Sequence, residues 1–317
     1  TCALPIYIFN VGTKTIAVKQ TQFGAYIIDG DTKQCVIPPG STSFGSLQQS
    51  QAQNPSFTSY IAYNGSNTYC VVGQSGYISA STDGLNWTGK YAGGSQTSSF
   101  YSIKYLNGNW IAIGASGMVA SSNSVTAADG TWQVVQGFGF TQYNCSDYGN
   151  GYYWIAGPSK LYYTNATGQN LANTSLWTSI TTSTTWNSMV FGNNTFVLVG
   201  TFGNYAYSTS GTAITGSGTA GSQNFNKVIW VSSLSLFVAV GNGGNIYTSP
   251  DGSTWTQRTS NVSGSLYDVV WNGSILVSVG SSGCITTSTD GITWTKRNSN
   301  NTTARSEEQT SELQSHS

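Results

Sequence analysis

Charge is what this chain has least of. Asp, Glu, Lys and Arg make up 7% of its 317 residues, against about 25% in ordinary soluble domains. A basic surface able to neutralise a row of phosphates cannot be built from so few cations, which excludes an electrostatic nucleic-acid binder. Histidine occurs once, as His316, and glutamate only as Glu307, Glu308 and Glu312. Residues 7–304 therefore contain neither, and Ser-His-Asp or Cys-His chemistry has no base there. In that span eight Lys and two Arg face eight Asp, a net charge of +2. No run approaches the ~20 apolar residues that span a bilayer, so membrane insertion is not expected. Cys35, Cys70, Cys145 and Cys284 are far apart and lack CxxC or Cys/His spacing. Neither a zinc site nor a disulfide framework is indicated, and no cofactor is called for. Cys70, inside YCVVG, reads as a buried small hydrophobe.

Few charges and many hydroxyls also describe disordered chains. Here, however, aromatic and β-branched residues are ample and periodic. Six apolar runs end on a glycine, at Gly73, Gly114, Gly157, Gly200, Gly241 and Gly280, spaced by 41, 43, 43, 41 and 39 residues. A constant period of this size marks a repeat architecture. The last unit divides into LYDVVWN, ILVSVG, CITTSTDG and ITWTKR, with Asn272-Gly273 and Asp290-Gly291 as reversal turns. That pattern predicts a four-stranded antiparallel meander without a helix. Its second strand is apolar on both faces, as are 195–200 and 236–241, which fits sheets covered on both sides. A second glycine follows each run by three residues at Gly76, Gly117, Gly203, Gly244 and Gly283, a turn needing positive φ; the third unit carries Lys160 there and should turn differently. The fold class read from this is all-β, a β-propeller of four-stranded antiparallel blades. Six units begin near Phe57, Phe100, Phe140, Trp186, Phe225 and Tyr267, with room for a seventh in an intact gene.

The two ends differ from the rest. Residues 1–6, TCALPI, and 305–317, RSEEQTSELQSHS, resemble in-frame translations of a short-read sequencing adapter, the second departing from it at Gln309. Both are set aside from the fold reading, and 7–304 is expected to be part of a longer reading frame. The remaining chain is divided into a small β module at 7–50, a polar linker at 51–55 and the propeller at 56–304.

Between strands three and four three units carry STDGLNWT at 81–88, SPDGSTWT at 249–256 and STDGITWT at 288–295. These resemble Asp-box (BNR-like) repeats, S-x-D-x-G-x-x-W, of sialidase-like propellers, secreted glycosidases and photosystem assembly factors, one residue shorter between Asp and Trp. Physically, Asp83, Asp251 and Asp290 can accept backbone N–H bonds across the turn, while Trp87, Trp255 and Trp294 pack between blades. A structural role is expected, since copies in successive blades cannot converge on one site. Unit two keeps Asp129 and Trp132, unit three keeps Trp177, and 211–223 of unit four has lost the motif.

The resemblance implies sialidase chemistry only if an arginine triad and a glutamate-assisted tyrosine are present. Residues 7–304 offer Arg258 and Arg297 alone, and no Glu. Other glycosidases need two carboxylates across the scissile bond, and Asp147 and Asp268 are the strand carboxylates outside the turns. Both read more simply as surface or turn carboxylates. Asp29-Gly30-Asp31 is a hairpin turn rather than a calcium loop, and no metal site is expected.

What remains is recognition. Units three and four leave the repeat consensus, with Phe138, Phe140, Tyr143, Tyr148, Tyr152, Tyr153 and Trp154 close together. Phe138, Phe140, Lys160, Trp186 and Phe202 fall in loops, or at their edges, on one face of adjacent blades, and are the expected ligand-binding patch. The competing reading makes Phe140 and Trp186 packing residues equivalent to Phe57, Phe100 and Phe225. Asn10–Val18 and Pro38–Ser41 resemble small β modules of bacteriophage tail and fibre proteins. The function expected is thus a non-enzymatic recognition propeller on a virion or extracellular surface, binding a host glycan or protein receptor, with other virion or adhesin subunits as further partners. The alternatives are a secreted polysaccharide hydrolase and an assembly scaffold.

Overall fold

The computed structural model describes residues 58–297, apart from 67, 83–87, 92–97, 125–131, 136–137, 139–141, 167–170 and 172. It also describes, as strands, 6–11, 14–21, 24–28 and 34–37. Every described sheet is an antiparallel meander in chain order. Blade one runs over Thr58–Tyr63, Tyr69–Gly73, Tyr77–Ser81 and Thr88–Tyr91. Blade two follows over Phe100–Leu106, Asn109–Gly114, Val119–Ser122 and Gln133–Val135. Blades five and six begin at Phe225–Val231 and Leu266–Trp271 and end at Thr256–Arg258 and Thr295–Arg297.

Between them the pattern departs from separate four-stranded sheets. The strand Thr178–Gly192 runs without a break from the outer edge of blade three into the inner edge of blade four, joining them into one seven-stranded sheet. It changes partner from Pro158–Thr164 to Thr195–Gly200 between Thr185 and Trp186, and its register then shifts between Trp186 and Ser188.

The second strand of each blade is the core. In Thr195–Gly200 every residue is buried. Phe196 and Leu198 point toward blade three, packing with Trp154 and Met189, while Val197 and Val199 pack on Phe225 and Phe237 of blade five. Asn109–Gly114 does the same, Trp110 and Ala112 facing blade one and Ile111 and Ile113 facing blade three. The period of two thus serves two apolar neighbours, which is why no polar face alternates in the sequence. Each such side chain contributes ~1.5–3 kcal/mol on burial.

The run-ending glycines answer to a close approach. A Cβ on Gly200 would stand 2.2 Å from the Thr185 carbonyl oxygen, and one on Gly114 2.0 Å from that of Ser99. The second glycines are left-handed, from +63° at Gly117 to +72° at Gly244. Blade three, with Lys160 in place of that glycine, lacks the short 3-10 turn and enters its third strand directly at Pro158.

The partners of these glycines correct three unit boundaries. Phe100, Trp186 and Phe225 pair with Gly114, Gly200 and Gly241, but Gly73 pairs with Thr58 rather than Phe57 and Gly280 with Leu266 rather than Tyr267. In blade three the anchor is Tyr143: its N–H bonds the Gly114 carbonyl, as Trp186 N–H bonds that of Gly157. Phe140 lies outside the described residues. Tyr143 satisfies the rule because it is buried beneath Phe138, Tyr162 and Trp177, an aromatic cluster that replaces the shorter unit of the other blades.

The strands Ile6–Val11, Lys14–Thr21, Gly24–Ile28 and Gln34–Ile37 form a further four-stranded antiparallel sheet, and the second of them lies against Leu276–Gly280 and the turn after it. Blade six has Val277, Val279 and Ile285 buried, and blade one has Tyr69 and Val71 buried. The N-terminal sheet therefore packs against blade six.

Candidate functional site

First strands of successive blades pack side by side, so their inner edges surround a common axis. A cavity of about 730 Å³ opens there, lined by all six of those strands. An edge strand leaves N–H and C=O groups unpaired, and these need partners. In blades four to six the partner is a side chain of the preceding blade. Asn144 donates its amide to the Trp186 carbonyl at 2.8 Å, Asn187 to Phe225 at 2.7 Å and Asn226 to Leu266 at 2.8 Å. Ser188 Oγ accepts from Val228 N–H at 3.1 Å, and Asp147 from Phe191 N–H at 3.1 Å.

These asparagines stand one residue after the anchor, at a β-bulge in blades four and five. A bulge re-aims one side chain out of the pleat, here toward the axis. Blades two and six carry Tyr101 and Tyr267 at the same bulge. Tyr267 is 58% exposed, and Tyr60, one place further along in blade one, is 41% exposed.

The cavity's charges are paired. Lys104 Nζ lies 3.1 Å from Asp147, and Lys227 Nζ 3.5 Å from Asp268, each pair at one height on neighbouring blades. Asp147 is largely buried and also accepts Tyr148 N–H at 2.9 Å; Asp268 is half exposed and accepts Val269 N–H at 2.8 Å. Burial raises the Tyr60 pKa, Tyr101 adds to the rise and Lys227 opposes it. Burial pushes the Cys145 thiol up to about 12, so at neutral pH it is no nucleophile. Burial likewise raises Cys70.

The fold places the described residues of the expected aromatic patch in different environments. Phe138 is half-buried, its ring centroid 4.3 Å from Tyr162 and its carbonyl bonded by Tyr143 Oη at 2.7 Å. Trp186 is 3% exposed, packed between blades three and four with its Nε1 donating to Thr182 Oγ1 at 3.1 Å. Lys160 is half-buried in a strand opposite Thr181. Among the described members of the patch only Phe202 shows its ring, 71% exposed, at φ +56° on the turn between strands two and three of blade four. Its N–H bonds Asn224 Oδ1 at 2.8 Å, just before the Phe225 anchor, which puts it at the bulge end of the cavity. Burial thus makes Trp186 and Phe138 packing residues, and the face they were expected to share retains Phe202.

Among the turn residues, Asp83, Trp87 and Asp129 lie outside the described residues. Asp251 Oδ1 accepts N–H bonds from Ser253 and Thr254, both at 2.8 Å, and Asp290 Oδ1 does so from Ile292 and Thr293 at 2.8 Å. Trp255 and Trp294 donate back to the carbonyls of Gly252 and Gly291 at 3.1 Å. The Thr293 and Ile292 N–H groups hold Asp290 down to about 2; burial raises Asp251, but Thr254 and Ser253 outweigh it and its pKa is lowered. Trp132 and Trp177 are buried in the cores flanking blade two.

Comparison with protein-family models and with curated protein sequences finds no match. Solved structures match in fold. YCF48 bound to D1 peptide superposes with a TM-score of 0.64 at 17% identity, over 89% of this chain and 94% of that one. Sqt1 of Saccharomyces cerevisiae gives 0.67 at 13% identity over 88% and 82%. The Dos1 propeller gives 0.62 at 14% over 86% and 76%. The fold is a β-propeller. Within a propeller the axial cavity is where all blades converge, so the tyrosines at its bulge end are the residues the period alone failed to reveal. Aligning units on the residue paired with each glycine, rather than on the nearest aromatic, would have placed Tyr101 and Tyr267 opposite Asn144, Asn187 and Asn226.

Proposed function

We propose that this protein is a non-catalytic recognition propeller whose ligand seats at the bulge end of the axial cavity. The observation carrying this reading is that the carboxylates of the first strands, Asp147 and Asp268, are already engaged by lysines and backbone N–H groups. Residues 7–304 contain no His or Glu, so a His- or Glu-based acid–base pair is not available there. A peptide-bound relative in fold, YCF48 with D1 peptide, supports recognition of a partner by such a scaffold.

In this reading Phe202 belongs to the contact surface, since a large aromatic is held exposed in the left-handed region where blade five has Gly243. The charge-poor surface and the resemblance of Asn10–Val18 to phage tail modules favour a virion or extracellular location and a receptor on a host surface. The test is retention without turnover. The immobilised protein is incubated with mixed glycan and peptide libraries, and the eluate is read by mass spectrometry. Retained, unaltered ligand supports the proposal; progressive cleavage overturns it in favour of a hydrolase.

A further inference from the structure

The axial ring is divided into two unlike halves. In blades three, four and five the position after the anchor is asparagine, and each side chain is consumed in bonding the next blade's carbonyl. In blades two and six that position is tyrosine, with Tyr60 alongside in blade one. Among the described residues none of these three hydroxyls is tied by a hydrogen bond, and Tyr60 and Tyr267 are among the most exposed large side chains of the protein. A repeat position that is structural in three blades and left open in others is where a repeat protein carries its function.

We infer that this tyrosine arc binds a neutral glycan. The inference rests on the recognition reading above and names its ligand. Three features select the chemistry. Phenol rings give apolar faces for stacking the C–H side of a sugar ring, with hydroxyls at the tip. Beside them the half-exposed Lys227–Asp268 pair offers a donor and an acceptor 3.5 Å apart, spaced for neighbouring sugar hydroxyls. Because Lys104 and Lys227 are each matched by a carboxylate, the cavity holds no surplus charge for an acidic sugar.

Along blades four to six an extended peptide is disfavoured by the same geometry. Peptides joining a sheet edge need free N–H and C=O groups. Along blades four to six those groups are taken, at Phe191, Phe225, Val228 and Leu266, by the preceding blade.

The test is binding of the full chain to arrayed neutral hexose and N-acetylhexosamine oligosaccharides, their sialylated and sulfated forms, and arrayed peptides. Tyr267→Ala and Tyr60→Ala are compared with Leu176→Ala, an exposed apolar control. Retention of neutral glycans, lost by about tenfold in both tyrosine variants and kept in the control, is expected. Melting curves of the variants, expected to match the parent, separate loss of binding from loss of fold. Binding of peptides or acidic glycans alone, sensitive to the same tyrosines, overturns the glycan while leaving recognition standing. Binding of nothing, or binding indifferent to both tyrosines, overturns the arc as the site.

Discussion

Asn187 of blade four donates its side-chain amide to the carbonyl of Phe225 in blade five at 2.7 Å, and the same bond joins Asn144 to Trp186 and Asn226 to Leu266. These amides hold the inner edges together where no backbone ladder is available. Replacing Asn187 by alanine leaves the Phe225 carbonyl without this partner and is expected to cost about 1–2 kcal/mol. Urea unfolding of Asn187→Ala measures it, and an unchanged midpoint would show that water serves the carbonyl equally well.

Asp147 and Asp268 occupy similar strands but different environments. Asp147 bridges three blades through Lys104, its own Tyr148 N–H and Phe191 N–H, with its side chain 14% exposed. Asp147→Ala should cost ~2–4 kcal/mol, because a lysine and a strand N–H lose their acceptor together. Asp268, 47% exposed, should cost less than about 1 kcal/mol on the same change. Equal losses in denaturant titrations would contradict this assignment.

Acid should loosen the strand three to four turns. Asp290 has its pKa depressed to about 2 and Asp251 is also lowered, so their contribution is complete above the ordinary carboxylate value of 3.8. It is lost as pH falls from about 4 toward 2. Melting temperature against pH, compared with Asp290→Asn, should show a shallower decline in the variant through that window.

Phe202 is the one bulky aromatic among the left-handed residues of the described chain. A left-handed L residue is strained by ~1–2 kcal/mol, while glycine gives back about 0.5–1 kcal/mol in chain entropy. Phe202→Gly is therefore expected to stabilise the fold by about 0.5–1 kcal/mol and to weaken ligand binding. A variant less stable than its parent in a denaturant titration would mean that the ring packs in solution and is no contact residue.

The N-terminal sheet covers an apolar blade face. Without residues 1–50, Val277, Val279 and Ile285 of blade six lose the sheet that lies beside them. The shortened protein should melt several degrees lower, roughly 4–8 °C for each 2 kcal/mol at this size, and should self-associate. Identical melting of the two forms would show that the sheet is a separate module.

By itself the sequence determined the repeat. Gly114, Gly200 and their counterparts recur because a neighbouring carbonyl leaves no room for a Cβ, and runs such as TFVLVG are apolar throughout because a blade covers each face. These are local steric and burial requirements, so they are written at fixed spacing. The turn carboxylates of Asp251 and Asp290 were legible for the same reason, since all their partners lie within three residues.

Only the tertiary structure decided what faces the axis. Tyr143 rather than Phe140 marks blade three, Trp186 disappears into a core, and Thr178–Gly192 fuses two blades into one sheet. The asparagine bonds span 38 to 42 residues, and the open tyrosines acquire meaning only beside them. Which side chain a bulge turns inward, and whether the next blade then consumes it, depends on how successive sheets meet, and no spacing along one blade records that.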